Sequence, residues 1–164
     1  MINALRSLFN EYEIKSINAQ NFHEVWGVYE SNHKFFVATS GSEATVERGL
    51  KDLENIPPNF DIEKRISWGF FEDGKPVAFL AALDGFPDVN CFYIGLLLVN
   101  QNLQKKGVGS KIIKALVEAA KVNGYTSLQL GVLGINKTAV EFWEKQGFEV
   151  IGSTDEVISL IINI

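Results

Sequence analysis

The stretch "LQKKGVGSKI" (residues 103–112) contains two glycines one residue apart, preceded by two lysines and followed by an apolar-periodic segment. Glycine lets an anion approach the backbone closely, because no Cβ stands in the way. The first N–H groups of the following helix have no partner within the helix, and the helix dipole places partial positive charge there. Lys105 and Lys106 add charge, and Ser110 adds a hydroxyl. The stretch therefore predicts a strand-to-helix turn that binds a phosphate-bearing ligand.

Three familiar phosphate-binding motifs do not fit this turn. A dinucleotide-binding fingerprint needs a third glycine at position 112, which is isoleucine. The spacing of a P-loop occurs only in "GFFEDGKP" (69–76), which ends in proline and has no helix after it. The glycine-rich loop of protein kinases lies between two strands, whereas a helix follows here. What remains is the pattern Gln104-x-x-Gly107-x-Gly109 between an apolar strand and a helix.

Composition limits the class of protein. The 164 residues, 46% of them hydrophobic, predict one domain over 1–164 with a packed core. The net charge of −5, from 15 Lys+Arg and 20 Asp+Glu, argues against a nucleic-acid binder and mildly favours cationic small molecules. Cys91 is the only cysteine, which excludes an intrachain disulfide and a cysteine-based zinc site. No apolar run reaches 18 residues, so we expect a soluble, cytoplasmic protein without a membrane span.

The hydrophobic pattern predicts an α/β (α+β) fold with the element order β-α-α-β-β-β-α-β-α-β-β. This order is typical of a mixed central sheet with helices on its faces. Asp73-Gly74 is the dipeptide favoured in tight hairpin turns. The predicted strands are 12–17, the two arms of a hairpin within 66–83, 91–99, 126–132, 148–152 and 156–164. The predicted helices are 19–32, 109–122, 136–146 and a further helix that is capped by Ser42 and ended by Pro57.

Two stretches resemble motifs of one enzyme superfamily. "LLLVNQNLQKKGVGSKIIKAL" (96–116) resembles motif A of the GNAT superfamily of N-acetyltransferases, whose signature is Gln/Arg-x-x-Gly-x-Gly/Ala. "NKTAVEFWEKQGFEVIG" (136–152) resembles motif B of the same superfamily, in which an asparagine opens a helix and Gly-Phe leads into a strand. The specific resemblance covers roughly residues 65–152.

The resemblance implies acetyl-CoA as cosubstrate, and it implies no metal and no other cofactor. In the family the pyrophosphate lies on the motif A turn, here Gln104, Lys105, Lys106, Gly107, Val108, Gly109 and Ser110. The pantetheine arm pairs with a splayed central strand, here Leu97, Leu98 and Val99, and motif B contributes Asn136, with Ala139 and Trp143 on the same helix face. Pairing of an amide-rich arm with an open strand edge is the mode by which extended peptides bind sheets. A strand N–H aimed at the thioester oxygen would stabilise the charge that develops there.

The chain departs from the family at the position of the general acid. Many members carry tyrosine where this chain has Trp143, and an indole gives up no proton near neutral pH. Water or Tyr93 on the central strand could protonate the leaving thiolate instead. For the base that deprotonates the amine, Asp84 and Glu30 are candidates by location only. Asn136 could also be no more than an N-cap, and Trp143 no more than a core residue.

These observations predict an enzyme that passes an acetyl group from acetyl-CoA directly to a primary amine. The acceptor is not identified, and a small molecule is favoured over a protein N-terminus or lysine. A non-catalytic acyl-CoA-binding module is the alternative, because Trp143 replaces the family's acid. The variable segment 19–60 is expected to shape the acceptor pocket, and a homodimer is possible because dimers are common in the superfamily.

Overall fold

A seven-stranded mixed sheet forms the centre of the structure, a computed structural model that describes residues 1–164. Its order is β1-β2-β3-β4-β5-β7-β6, and only the β4–β5 pair is parallel. This confirms the predicted mixed sheet. The strands are β1 (Glu13–Ser16), β2 (Arg65–Glu72), β3 (Lys75–Asp84), β4 (Cys91–Val99), β5 (Ser127–Leu133), β6 (Glu149–Ser153) and β7 (Val157–Asn163).

Six helices cover the two faces of the sheet. None of them has both the length and the apolar character that a membrane crossing requires. They are α1 (Ile2–Leu8), α2 (Trp26–Ser31), α3 (His33–Ser40), α4 (Val46–Glu54), α5 (Val108–Val122) and α6 (Lys137–Lys145).

The N-terminal third differs from the predicted order. Helix α1 was not predicted, because its seven residues show little periodicity of their own; Leu5, which is fully buried, packs it into the core beside α5. The single predicted helix 19–32 is instead a 3₁₀ turn followed by α2, and α3 was not predicted at all. The predicted cap at Ser42 is wrong. Helix α4 begins one turn later, where the Thr45 hydroxyl accepts from the N–H of Arg48 at 3.1 Å.

The rest of the sheet follows the predicted pattern closely. Asp73 and Gly74 both have positive φ, 49° and 75°, and join β2 to β3 in the predicted tight hairpin. Helix α5 ends at Asn123-Gly124 as predicted, with Gly124 at φ 81°.

Strands β4 and β5 pair over four residues and then diverge. Cys91–Ile94 is in register with Ser127–Leu130, whereas the remainder of β4 pairs only with β3 and the remainder of β5 only with β7. A cleft therefore opens between the C-terminal halves of the two central strands.

A β-bulge at Gly95 changes which side chains of β4 face each side of the sheet. Ala81 is opposite Leu96 and Ala82 is opposite Ile94, so Gly95 has no partner on β3. Before the bulge Ile94 packs in the core against α5, and after it Leu96 and Leu98 pack against α2 and α3 instead. Tyr93 and Leu96 consequently face the same side, although strict alternation would separate them.

Candidate active site

The glycine turn presents a row of free backbone donors. Gly107 adopts the left-handed conformation at φ 83°, and α5 begins immediately after it. No N–H group from Lys105 to Ser110 donates a hydrogen bond within the protein. The Gln104 side chain does not point to solvent: its Nε2 donates to the Val99 carbonyl at 3.1 Å and to the Asn32 side chain at 2.8 Å. Gln104 therefore fixes the turn to the end of β4, and the backbone donors are left for a ligand.

Gly109 has a packing role beside any role in binding. A Cβ at this position would lie 3.1 Å from Cζ of Phe142 on α6. The glycine therefore allows α5 and α6 to approach each other next to the turn.

Two cavities meet where β4 and β5 diverge. The first, of about 650 Å³, extends from the turn along β4 and is called the turn cavity; besides the shared residues its walls include Ser31, Asn32, Leu98, Val99, Gln104, Lys105, Gly107, Gly109, Ser110 and Phe142. The second, of about 560 Å³, lies on the α3–α4 side and is called the acceptor-side cavity; its walls include Phe36, Thr39, Arg48, Asp52, Ile56, Pro57, Arg65, Leu83, Tyr93, Leu96 and Gly131. Both are lined by Phe35, Leu97, Asn136, Ala139 and Trp143.

Helix α6 supplies most of the boundary between the cavities. The Asn136 Oδ1 accepts from the Ala139 N–H at 3.1 Å, so Asn136 is an N-cap and also lines the cleft. Trp143 is 7% exposed and packs edge-to-face with Phe142 and Phe148, at 5.2 Å between ring centroids in each pair. Trp143 is thus a core residue with one edge on the cleft.

Tyr93 is brought into the cleft and Asp84 is not. Tyr93 lines the acceptor-side cavity, and a Cβ built on Gly131 would lie 3.1 Å from its hydroxyl oxygen, so the hydroxyl lies over β5. Burial raises the pKa of Tyr93, which keeps the phenol protonated at neutral pH.

Asp84 lies one residue beyond Leu83, the partner of Tyr93, and therefore on the opposite face of the sheet. Its carboxylate accepts from Tyr125 Oη at 2.6 Å. Glu30 is exposed and lines neither cavity.

Comparison with known families covers the part of the chain that forms the cleft. The profile of the acetyltransferase (GNAT) family matches residues 25–148, which include the turn, the cleft and most of both cavity walls. The chain belongs to the GNAT acetyltransferase family.

Known relatives agree in fold but differ widely in sequence. An acetyltransferase from Thermus thermophilus superposes with a TM-score of 0.78 at 21% identity, covering 93% of this chain and 97% of that one. The PaiA N-acetyltransferase from Thermoplasma acidophilum, whose crystal structure contains coenzyme A, gives 0.71 at 16% identity over 93% and 99%. An uncharacterized N-acetyltransferase from Methanocaldococcus jannaschii is 32% identical over 93 residues, which are 52% of this chain and only 41% of that relative's length.

The charged residues of this GNAT chain's acceptor-side cavity were not predicted. Arg48, Asp52 and Arg65 line it, and none belongs to either family motif. The four-residue spacing of Arg48 and Asp52 places them on one face of α4, which was the available signal. Arg65 carried no such signal, because its proximity to them depends on where α4 packs on β2. Burial raises the pKa of Asp52, while the two guanidinium groups act to lower it.

Proposed function

We propose that this GNAT domain is an N-acetyltransferase that transfers the acetyl group of acetyl-CoA to a primary amine. The observation that carries the proposal is the run of unpaired N–H groups from Lys105 to Ser110 at the end of a splayed strand. A row of free N–H groups at a helix N-terminus suits an anion such as a pyrophosphate. Residues 1–164 would act as one catalytic domain.

The turn cavity suits the shape of acetyl-CoA. Its polar end would hold the pyrophosphate on the backbone of the turn, with Lys105 at the rim and the Ser110 hydroxyl beside it. The edge of β4 that faces β5 has no strand partner beyond Ile94, which leaves groups at Leu97 and Leu98 to pair with the amides of the pantetheine arm. Ala139 is small, so α6 leaves room for the arm.

Acetyl-CoA would supply an activated thioester, whose C–S bond breaks as the amine nitrogen bonds to the acetyl carbon. The bulge at Gly95 interrupts the pairing of β4 with β3 beside the acceptor-side cavity, and a strand N–H there would stabilise the thioester oxygen. Tyr93 would give its proton to the leaving thiolate and regain one from the attacking amine, directly or through water, because its hydroxyl lies over Gly131 and stays protonated. Neither role needs a covalent bond to the enzyme.

The acceptor-side cavity favours a small-molecule amine over a polypeptide. It is bounded by α3, α4, α6 and four strands, and most of its walls are apolar, as at Phe36, Ile56 and Pro57. The alternative of a non-catalytic acyl-CoA-binding module draws on Trp143, whose indole is packed in the core and cannot act as an acid. Turnover distinguishes the two: an enzyme acetylates at least one amine of a panel, and a binding module acetylates none.

The first test is thermal unfolding with and without acetyl-CoA. Ligand at 100 times its dissociation constant should stabilise the wild type by about 2.7 kcal/mol. Ser110→Glu should lose most of this stabilisation, because its carboxylate repels the phosphates while remaining favourable for the first turn of a helix. Ser110→Gln, of the same size and without charge, is the control and should keep more of it. An unchanged unfolding temperature in the wild type would overturn the proposal.

A further inference from the structure

The acceptor-side cavity is positively charged in a negatively charged protein. Its only charged side chains are those of Arg48, Asp52 and Arg65, which sum to +1, whereas the whole chain carries −5. Asp52 forms no ion pair with either arginine, and its carboxylate accepts no hydrogen bond from the protein. The positive charge of the cavity is therefore not neutralised by direct pairing.

Arg48 is held in place with one edge free. Its Nη1 donates to the hydroxyls of Ser40 and of Ser42, the latter at 2.9 Å, and its guanidinium lies 4.9 Å from the centroid of the Phe36 ring. Its Nε has no hydrogen-bond partner, but the surrounding protein closes it off. Its Nη2 makes no hydrogen bond within the protein, so the two N–H groups of that edge can donate to a carboxylate in the cavity.

Arg65, unlike Arg48, donates to backbone carbonyls of the surrounding elements. Its Nη1 donates to the carbonyls of Ile66 and Ala82, and its Nη2 donates to the carbonyl of Asp52 at 2.7 Å. These bonds connect α4 to β2 and β3, so Arg65 supports the cavity wall. It adds positive charge to the cavity, but both of its Nη atoms already donate to backbone carbonyls. Arg48 is the arginine that is available to a ligand.

Two other unpaired donors near this cavity are not open to a ligand. The Nε of Arg65 is buried and has no hydrogen-bond partner, and the same holds for the hydroxyl of Tyr29, which is fully buried and does not line the cavity. The donor that a ligand can reach is therefore the free edge of Arg48, which suits a group with acceptor oxygens.

We propose that the acceptor is a primary amine that also carries one carboxylate, which the free Nη2 edge of Arg48 binds. This inference rests on the proposed acetyl transfer and names the class of its second substrate. Asp52 leaves the cavity with a single net positive charge, which matches a monocarboxylate better than a dicarboxylate or a phosphate ester. Arg48 lies on α4 and Tyr93 on β4, and both line this cavity. The amine end and the carboxylate end thus have separate places in one cavity.

The test compares acetylation rates within matched sets of amines. Each set contains an amino acid, its amide and the amine that lacks the carboxyl group: leucine, leucinamide and isoamylamine; phenylalanine, phenylalaninamide and phenethylamine; and ω-amino acids of three to eight carbons with their n-alkylamines. In the best set the carboxylate should raise kcat/KM by about 10- to 100-fold, the range expected for a charge-assisted hydrogen-bonded pair. The ω-amino acid series measures the spacing of the two groups.

Three variants assign the preference to Arg48. Arg48→Gln should bring the ratio of kcat/KM for the carboxylated and uncarboxylated amines close to one, and Arg48→Lys, which keeps the charge but loses the two-donor edge, should give an intermediate ratio. Lys51→Gln is the control: it removes the same charge from the same helix at a side chain that is 75% exposed and outside the cavity. It should leave the ratio unchanged. Thermal stabilisation by the N-acetylated amino acid with CoA provides a second readout, which Arg48→Gln should weaken.

The outcomes separate this inference from the proposed function. Stabilisation by acetyl-CoA together with equal or faster acetylation of the uncarboxylated amines, of polyamines or of peptides overturns the carboxylate assignment alone. A preference that persists in Arg48→Gln also overturns it. A wild type that is neither stabilised by acetyl-CoA nor active on any amine overturns the acetyl transfer, and the assignment of the acceptor fails with it.

Discussion

Tyr93 lines the cleft with a phenol, whereas Trp143 occupies the motif B position at which many family members have tyrosine. Its hydroxyl lies over β5 at Gly131, and edge-to-face packing against Phe86, at 5.2 Å between ring centroids, holds the ring. A phenol on the floor of the cleft can donate a proton even though the family's usual position on α6 holds an indole. The consequence can be measured by two substitutions.

Tyr93→Phe should lower kcat by ~10²–10⁴-fold if the hydroxyl donates the proton. Binding of acetyl-CoA should be little affected, since Tyr93 does not line the turn cavity. Because burial raises the pKa of Tyr93 above its ordinary value of 10.0, loss of its proton should reduce activity only above about pH 10. A pH–rate profile checks this. An alkaline limb near pH 8 that disappears in Tyr93→Phe would contradict a phenol that stays protonated at neutral pH.

Gly131→Ala tests the position of the same hydroxyl. The added Cβ would meet Tyr93 Oη at 3.1 Å and Val157 Cγ1 at 3.0 Å, closer than ordinary van der Waals contact. We expect a loss of roughly tenfold in kcat, equivalent to about 1.4 kcal/mol, as the hydroxyl is displaced. Gly152→Ala, on β6 with no atom within 4 Å of the added Cβ, is the control. In a Tyr93→Phe background the effect of Gly131→Ala on kcat should largely vanish, which a double-mutant cycle measures.

At the scale of elements, Asn136 at the start of α6 has a structural role and also a position in the cleft. Its side chain caps the helix by accepting from the Ala139 N–H, and the same residue borders both cavities. Substitutions that keep the cap show whether Asn136 also contributes to binding.

Asn136→Ala should destabilise the protein by about 0.5–2 kcal/mol, the usual range for loss of an N-cap. Asn136→Ser keeps a capping hydroxyl and should stay close to wild-type stability. If Asn136 also holds the pantetheine arm, Asn136→Ser will still bind acetyl-CoA more weakly than the wild type. Chemical denaturation and titration calorimetry give the two quantities. Equal affinity in Asn136→Ser and wild type would limit Asn136 to capping.

At the scale of the whole molecule, the sheet consists of two parts with a short junction. β1–β4 and β5–β7 are joined only by the pairing of Cys91–Ile94 with Ser127–Leu130. A ligand that pairs with the open edge of β4 would extend this junction and restrain the two parts relative to each other.

Acetyl-CoA should therefore slow amide hydrogen exchange most strongly in peptides that cover β4 and β5. Exchange reports local opening, and opening is expected at the border of the splay where backbone pairing stops. Peptides from the β2–β3 hairpin, whose strands pair along their whole length with one bulge, serve as the internal control and should change little. Equal protection throughout the chain would indicate global stabilisation instead of closure of the cleft.

The local features of this protein were predictable because neighbouring residues produce them. The extent of β4, the Asp73-Gly74 turn and the Gly107 turn before α5 follow from periodicity, turn chemistry and the absence of a Cβ at two positions. Together with motif B they were sufficient to predict the family. Helices α1 and α3 escaped prediction because short helices depend on packing more than on their own sequence.

Tertiary structure decides which side chains line the cleft. The bulge at Gly95 brings Tyr93 to the same face as Leu96, and ordinary alternation turns Asp84 away toward Tyr125. Arg48 and Arg65 come together only because α4 packs against β2, so the overall charge of −5 gave no sign of a positive cavity. Strand register and helix packing are set by contacts between residues far apart in the chain. The sequence by itself therefore determined the family and the glycine turn, while the fold decided which side chains line the cleft.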